Sequence, residues 1–260
     1  MSPILIFNGS FSSGKTTGAE EFYKMMLNHT TIPKENRVTD GFHLVHQIKD
    51  VAHGPDGAGL SNSHYHPWMN EPTEKHNHLV NPHFPFTVCS QPPLDNMIRG
   101  FLQELWQKRN NPGLIIAELG TGVAGDLQVV DKSGVDLSTR RFVEIVNEQN
   151  YWKELKKQIM VVTVDADFEI RKKRNLERSV EANGINRSWL LADEAIKITQ
   201  YPDPESWLKW IDHENIFSIN NNAFHKDGGD GLREQLVAVK KWLTQRWPLI
   251  EGNPPRSKER

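Results

Sequence analysis

Cysteine is nearly missing: Cys89 is the single one in 260 residues. An intramolecular disulfide is therefore excluded, and the count fits a reducing compartment. Cys89 as a nucleophile has no support in its surroundings and reads as a packing or loop residue. An excess of one charge is missing too. A formal net charge of −2 and an isoelectric point near 6.6 leave no basic field over the whole chain, which argues against a general nucleic-acid binder. Long apolar runs are absent as well, with 37% hydrophobic residues and a mean hydropathy of −0.60. Residues 3–7 are apolar but short and have no basic lead, so they read as a buried strand rather than a signal peptide, and no segment is long enough to cross a bilayer. Three Asn-x-Ser/Thr triplets, at Asn8, Asn28 and Asn186, are then chance matches in a chain expected to be cytoplasmic and free of membrane. No internal repeat is visible.

What is present is an alternation. Short β-rich apolar runs at residues 4–7, 114–117, 159–164 and 216–219, with a weaker strand signal at 37–39, are separated by helical patterns, above all residues 17–28 and 232–247. That pattern predicts an α/β domain, a parallel sheet of five strands covered by helices on both faces. Three stretches interrupt it. Residues 53–93 hold seven of the fifteen prolines and show no periodicity, as expected of a long functional or disordered insertion. Residues 120–136 are rich in Gly and Asp. Residues 183–212, with Trp189, Trp207 and Trp210, read as part of a small helical lid. The expected organisation is one domain over 1–247, with an inserted loop at 53–93, a lid region at 171–212, and a flexible tail at 248–260.

The most specific signal is Gly9-Ser10-Phe11-Ser12-Ser13-Gly14-Lys15-Thr16. It fits the phosphate-loop pattern G-x-x-x-x-G-K-[ST] and stands between a strand and a helix, where the pattern has meaning. Gly9 and Gly14 permit a tight turn and a close approach of backbone to anion. Successive backbone N–H groups and the positive end of the next helix then cradle phosphates. Gly9, Ser10, Ser12, Ser13, Gly14, Lys15, Thr16 and Thr17 form the expected nucleotide cradle. Lys15 reaches the β- and γ-phosphates and the Thr16 hydroxyl completes a Mg²⁺ shell.

Three further groups of residues bear on the chemistry. Asp40 follows the second strand, at the carboxyl edge where a parallel sheet meets its ligand. A carboxylate there can orient a hydroxyl and take its proton, or it can simply cap a helix starting at Phe42. Glu118 ends the third run, where an acid holds the water shell of Mg²⁺; the plainer reading is an acidic loop residue. Asp165 ends the fourth run and is followed by Arg171, Arg174 and Arg178 on one helical face. Such arginines suit phosphate oxygens, or else, with Lys172 and Lys173, make a solvated basic face. Arg187 is a weaker addition in the presumed lid.

Taken in order, the phosphate loop, the run Thr39-Asp40-Gly41-Phe42, the strand ending at Glu118, and Val164-Asp165-Ala166-Asp167 with Arg171 and Arg174 resemble the uridine kinase, phosphoribulokinase and pantothenate kinase family. The resemblance covers roughly residues 1–45 and 112–180. It implies a P-loop kinase fold with the phosphate-loop strand near the centre of the sheet, Asp40 as catalytic base, Arg171 and Arg174 as lid arginines over the phosphates, and ATP with Mg²⁺ as co-substrate and cofactor. The implied activity moves the γ-phosphoryl of ATP to a hydroxyl or phosphate of a small metabolite such as a nucleoside, a nucleotide or a pantothenate-like alcohol. The insertion at 53–93 matches none of these kinases, so the acceptor does not transfer with the resemblance. A regulatory ATPase or GTPase without a small acceptor is the alternative. A switch GTPase would need a guanine-reading Asn-Lys-x-Asp, which Asn220-Asn221-Asn222-Ala223 does not supply, and Asp131-Lys-Ser-Gly134 matches Asp-x-x-Gly loosely.

Eight of the eleven histidines lie between His43 and His83. Pairs such as His64/His66 and His76/His78 could hold Zn²⁺, but they lack helical spacing and their one nearby cysteine is Cys89. A second reading gives His43, His46, Tyr65 and Trp68 to acceptor contacts, and a third leaves a solvated polar loop.

Overall fold

The computed structural model describes residues 3–10, 12–27, 37–39, 65–66, 87–88, 91–119, 139–181, 207–222 and 230–247. Strands β1 (Ile4–Gly9), β2 (Arg37–Thr39), β5 (Ile115–Leu119), β6 (Ile159–Asp165) and β7 (Ile216–Asn220) form one five-stranded sheet in the order β2-β5-β1-β6-β7. Every pairing in it is parallel. Between them in sequence, β3 (Tyr65–His66) and β4 (Thr87–Val88) make a two-residue antiparallel ladder within the proline-rich insertion. The helices are α1 (Lys15–Leu27), α2 (Gln91–Lys108), α3 (Thr139–Glu148), α4 (Trp152–Leu155), α5 (Phe168–Glu181) and α6 (Asp230–Arg246).

A parallel strand covered on both faces must be apolar on both, which is why β1, β5 and β6 read as unbroken apolar runs. Their side chains divide alternately between two cores. Ile4, Ile6, Ala117, Ile159 and Val161 pack with Phe101, Leu102 and Leu105 of α2, Ile145 and Val146 of α3, and Trp152. Leu5, Phe7, Ile116, Met160, Val162 and Val164 pack on the other face with Ala19, Phe22 and Met26 of α1 and Leu232, Leu236, Val239 and Leu243 of α6. At about 1.5–3 kcal/mol for each fully buried large apolar side chain, this double core is the main stabilising term. The result is a three-layer sandwich with β1 in the middle of the sheet.

Two helices escape a reading of the sequence by its breakers. Pro92 and Pro93 fall in the first turn of α2, where a missing N–H is tolerated, and α3 follows the Gly/Asp-rich connection. Residues 207–211, expected in the lid, partly join the core: Ile211 is buried there, and Trp210 meets Trp152 edge to face with ring centroids 6.3 Å apart. Residues 182–206 of the expected lid, with Arg187 among them, the 53–93 insertion beyond the two short strands and the start of α2, Asp40 and the tail lie outside the described residues.

Candidate phosphate-binding site

From β1 the chain runs to β2 and β5 on one side and then crosses to β6 and β7 on the other, so the carboxyl end of β1 is the switch point where open parallel sheets take their ligands. The phosphate loop occupies that end. Gly9 closes β1 and Lys15 opens α1. The turn between them needs left-handed backbone at Ser12 (φ 58°) and Gly14 (φ 93°). It is held by hydrogen bonds from the Ser13 N–H to the Ser10 carbonyl (3.2 Å) and from the Gly18 N–H to the Gly14 carbonyl (2.8 Å). Both loop glycines are required by space. A Cβ on Gly9 would run into the Val164 carbonyl, and one on Gly14 into the side-chain amide of Asn221.

The chemistry of the loop fits a phosphate chain. The hydroxyl oxygens of Ser10, Ser12 and Ser13 are buried and have no hydrogen-bond partner among the described residues. Buried polar groups ordinarily find partners, and phosphate oxygens accept from hydroxyls. The first turn of α1 carries no acidic residue to neutralise its positive end. Lys15, Thr16 and Thr17 are half-buried at that same end.

Glu118 lies in β5, in register with Phe7 of β1 and Thr39 of β2, and is 2% exposed. Alternation along β5 gives it the same face of the sheet as Ile116 and the α1 layer. The structure therefore brings Glu118 beside the strand that carries the phosphate loop and beside the strand that leads into Asp40. A single buried carboxylate with a threonine hydroxyl is the type of donor set Mg²⁺ takes, because it keeps several waters and binds substrate phosphates besides. Thr16 and Glu118 are the residues that would hold it.

Arg171 and Arg174, expected as lid arginines, both fall within the described residues. Both belong to α5, and both are buried, at 1% and 7% exposure, so a solvated basic face does not describe them. The Arg171 Nε donates to the Ala166 carbonyl (3.1 Å). Burial lowers its pKa from the usual value, and the Asp165 carboxylate works in the opposite direction. Arg174 Nη1 donates to the Ser13 carbonyl (3.1 Å) and more weakly to that of Ser12 (3.4 Å), while Nη2 donates to the Asn221 carbonyl (2.6 Å). These contacts grip the phosphate loop by its backbone carbonyls. The sequence spacing that sets both arginines on one face of α5 is the cause, because that face turns toward backbone carbonyls of the phosphate loop, Ala166 and Asn221 instead of opening to solvent. Arg178 is part of the same helix, its side chain outside the described set.

Asn221 is the residue that sequence reasoning missed. It follows β7, is fully buried, and donates its Nδ2 to the Ser13 carbonyl (2.8 Å). Its own N–H donates to the Asp165 carbonyl (2.7 Å). Its neighbours are tethered as well: Asn220 exchanges hydrogen bonds with the Gln235 side chain of α6 (2.7 and 2.6 Å), and the Asn222 side chain accepts from the Asp167 N–H (2.8 Å). Three consecutive asparagines at the carboxyl end of an apolar strand were the available signal.

The parallel sheet order and the phosphate-loop sequence at the end of its central strand define an α/β domain of the P-loop NTPase type. No protein family and no curated protein matches the chain. Among solved structures it is similar to a candidate kinase from Chloroflexus aurantiacus (13% identity, TM-score 0.46, covering 94% of this chain and 97% of that one). It is also similar to a sugar kinase from Janibacter sp. HTCC2649 (12%, TM-score 0.43, 97% and 100%) and to a Thermus thermophilus protein (16%, TM-score 0.41, 94% and 98%). At these TM-scores the fold assignment rests on the sheet order and the loop, not on the likenesses.

Proposed function

We propose that the chain is an ATP-dependent phosphotransferase that moves the γ-phosphoryl group to a hydroxyl or phosphate of a small metabolite. The observation that carries this reading is the loop between β1 and α1, with its two left-handed residues and its three buried serine hydroxyls that lack a partner among the described residues. An anion of several oxygens supplies acceptors for those hydroxyls and for the N–H groups of the first turn of α1. Lys15 would meet the β- and γ-phosphate oxygens, as its place in the motif requires.

Transfer would be in-line, and the protein's part is positioning and charge stabilisation more than covalent chemistry. The backbone cradle fixes the donor phosphates. Thr16 and Glu118 would hold Mg²⁺, which when bound neutralises charge on the β- and γ-oxygens. Asp40, the residue after Thr39 of β2, would orient the acceptor oxygen and take its proton. Acceptor contacts are assigned to the 53–93 insertion, with nucleosides, nucleotides and pantothenate-like alcohols as the classes to try.

Replacing Lys15 with Ala tests this assignment. Turnover of Mg-ATP in the presence of an acceptor should fall to background, with weakened nucleotide binding. Full activity in that variant would remove the kinase reading.

A further inference from the structure

We infer that Arg174 and Asn221 are positioning residues that hold the phosphate loop in its anion-receiving shape from behind, so that the cradle exists before any ligand arrives. The inference rests on the phosphate-loop reading above and deepens it. It stands on one peptide plane. The carbonyl of Ser13 accepts from both Arg174 Nη1 and Asn221 Nδ2. In a planar trans peptide the C=O and the following N–H point in opposite directions. Pinning the Ser13 carbonyl on the α5 and β7 side therefore turns the Gly14 N–H to the other side, toward the hollow enclosed by the loop.

Two further observations point the same way. Ser12 holds a left-handed backbone (φ 58°) without being glycine. Such a conformation is disfavoured for a residue that carries a Cβ and persists where surrounding contacts over-determine it. Arg174 supplies one such contact at the Ser12 carbonyl. Secondly, the clamp closes on itself: Arg174 Nη2 donates to the Asn221 carbonyl while the Asn221 amide donates to the loop. Neither side chain would act on the reacting atoms. Each would act through the Ser13–Gly14 peptide, and Gly14 is glycine partly because the Asn221 amide occupies the space of a Cβ.

The test measures binding of Mg-ATP and of inorganic tripolyphosphate by calorimetry, with melting temperature recorded in parallel. The proteins are wild type, Asn221→Asp, Arg174→Lys and Val239→Ala. Aspartate keeps the shape but cannot donate to the Ser13 carbonyl. Lysine keeps the charge but lacks the fork that spans two carbonyls. Val239, fully buried in the α6 core, reports destabilisation remote from the loop. The loss of one charge-assisted or buried hydrogen bond predicts affinity for both probes at least about tenfold weaker in the two clamp variants, with Val239→Ala binding as wild type despite a lower melting temperature. Should Asn221→Asp fail to fold, Arg174→Lys decides alone. Wild-type affinity in a folded clamp variant, or an equal loss in Val239→Ala, overturns the clamp while leaving the phosphate loop intact. If wild type itself binds neither probe, the phosphate-loop reading falls, and the clamp with it.

Discussion

Gly14 shows how much one residue of the loop must satisfy. It needs a positive φ, and its missing Cβ makes room for the Asn221 amide. Gly14→Ala is therefore expected to lower stability by about 1–2 kcal/mol from the backbone alone, with a larger loss of nucleotide affinity as Asn221 is displaced. Chemical denaturation and ATP titration of the same preparation measure both effects; unchanged values for the two would contradict the packing described. Asp40 makes a different kind of prediction. If it takes the acceptor proton, Asp40→Asn should keep nucleotide affinity while kcat falls by about two to four powers of ten, the usual worth of general-base catalysis. A near-normal rate would return Asp40 to helix capping. The loop residues were legible in the sequence because their demands are local: fixed spacing, two glycines, a strand before and a helix after. Asn221 was not, because its partner Ser13 lies 208 positions away and nothing in the run Asn220-Asn221-Asn222 says which of the three turns to the loop.

Among the elements, β1, β5 and β6 could be read from their apolar runs, since burial on both faces leaves little room for polar residues. Strand β2, Arg37-Val38-Thr39, gave a weaker signal, and β7 is only partly buried. The helices were harder. In α2, Phe101, Leu102 and Leu105 have helical spacing and face the core, yet the prolines at its start pull attention to the preceding loop. In α5 the arginine spacing was readable, but which way that face turns depends on the distant carbonyls of Ser13 and Asn221 that it meets. Helix α6 gives the clearest check of the packing. Leu236 is 1% exposed within the cluster that contains Phe7 and Phe22. Leu236→Ala should destabilise the fold by about 2–5 kcal/mol through lost burial and the cavity left behind. A shift in denaturation midpoint worth well under 1 kcal/mol would show that α6 does not close this core.

At the scale of the whole molecule, a three-layer parallel sheet brings a loop from its first strand, an acid from β5, α5 and the end of β7 to one edge. Alternating strands and helices announced that architecture, and the central place of β1 was implied by the family resemblance before the sheet order showed it. The acceptor side stayed unread, because the 53–93 insertion has neither periodicity nor a match to the kinases that the loop resembles. No described helix is long and apolar enough to cross a membrane. Ligand linkage should also appear at this scale: Mg-ATP at a hundred times its dissociation constant stabilises a protein that binds it by about 2.7 kcal/mol. Thermal shift with and without Mg-ATP would register this as a rise of several degrees in wild type and a much smaller one in Lys15→Ala; equal shifts would place ATP somewhere other than the loop.

The most direct test of the central claim is ADP release from Mg-ATP against a panel of nucleosides, nucleoside monophosphates, pantothenate-like compounds and sugar alcohols, with Lys15→Ala as the blank. The account predicts one acceptor class that drives release far above the blank and is recovered carrying the phosphoryl group. Slow release that no acceptor stimulates, equal in wild type and Lys15→Ala, would contradict it.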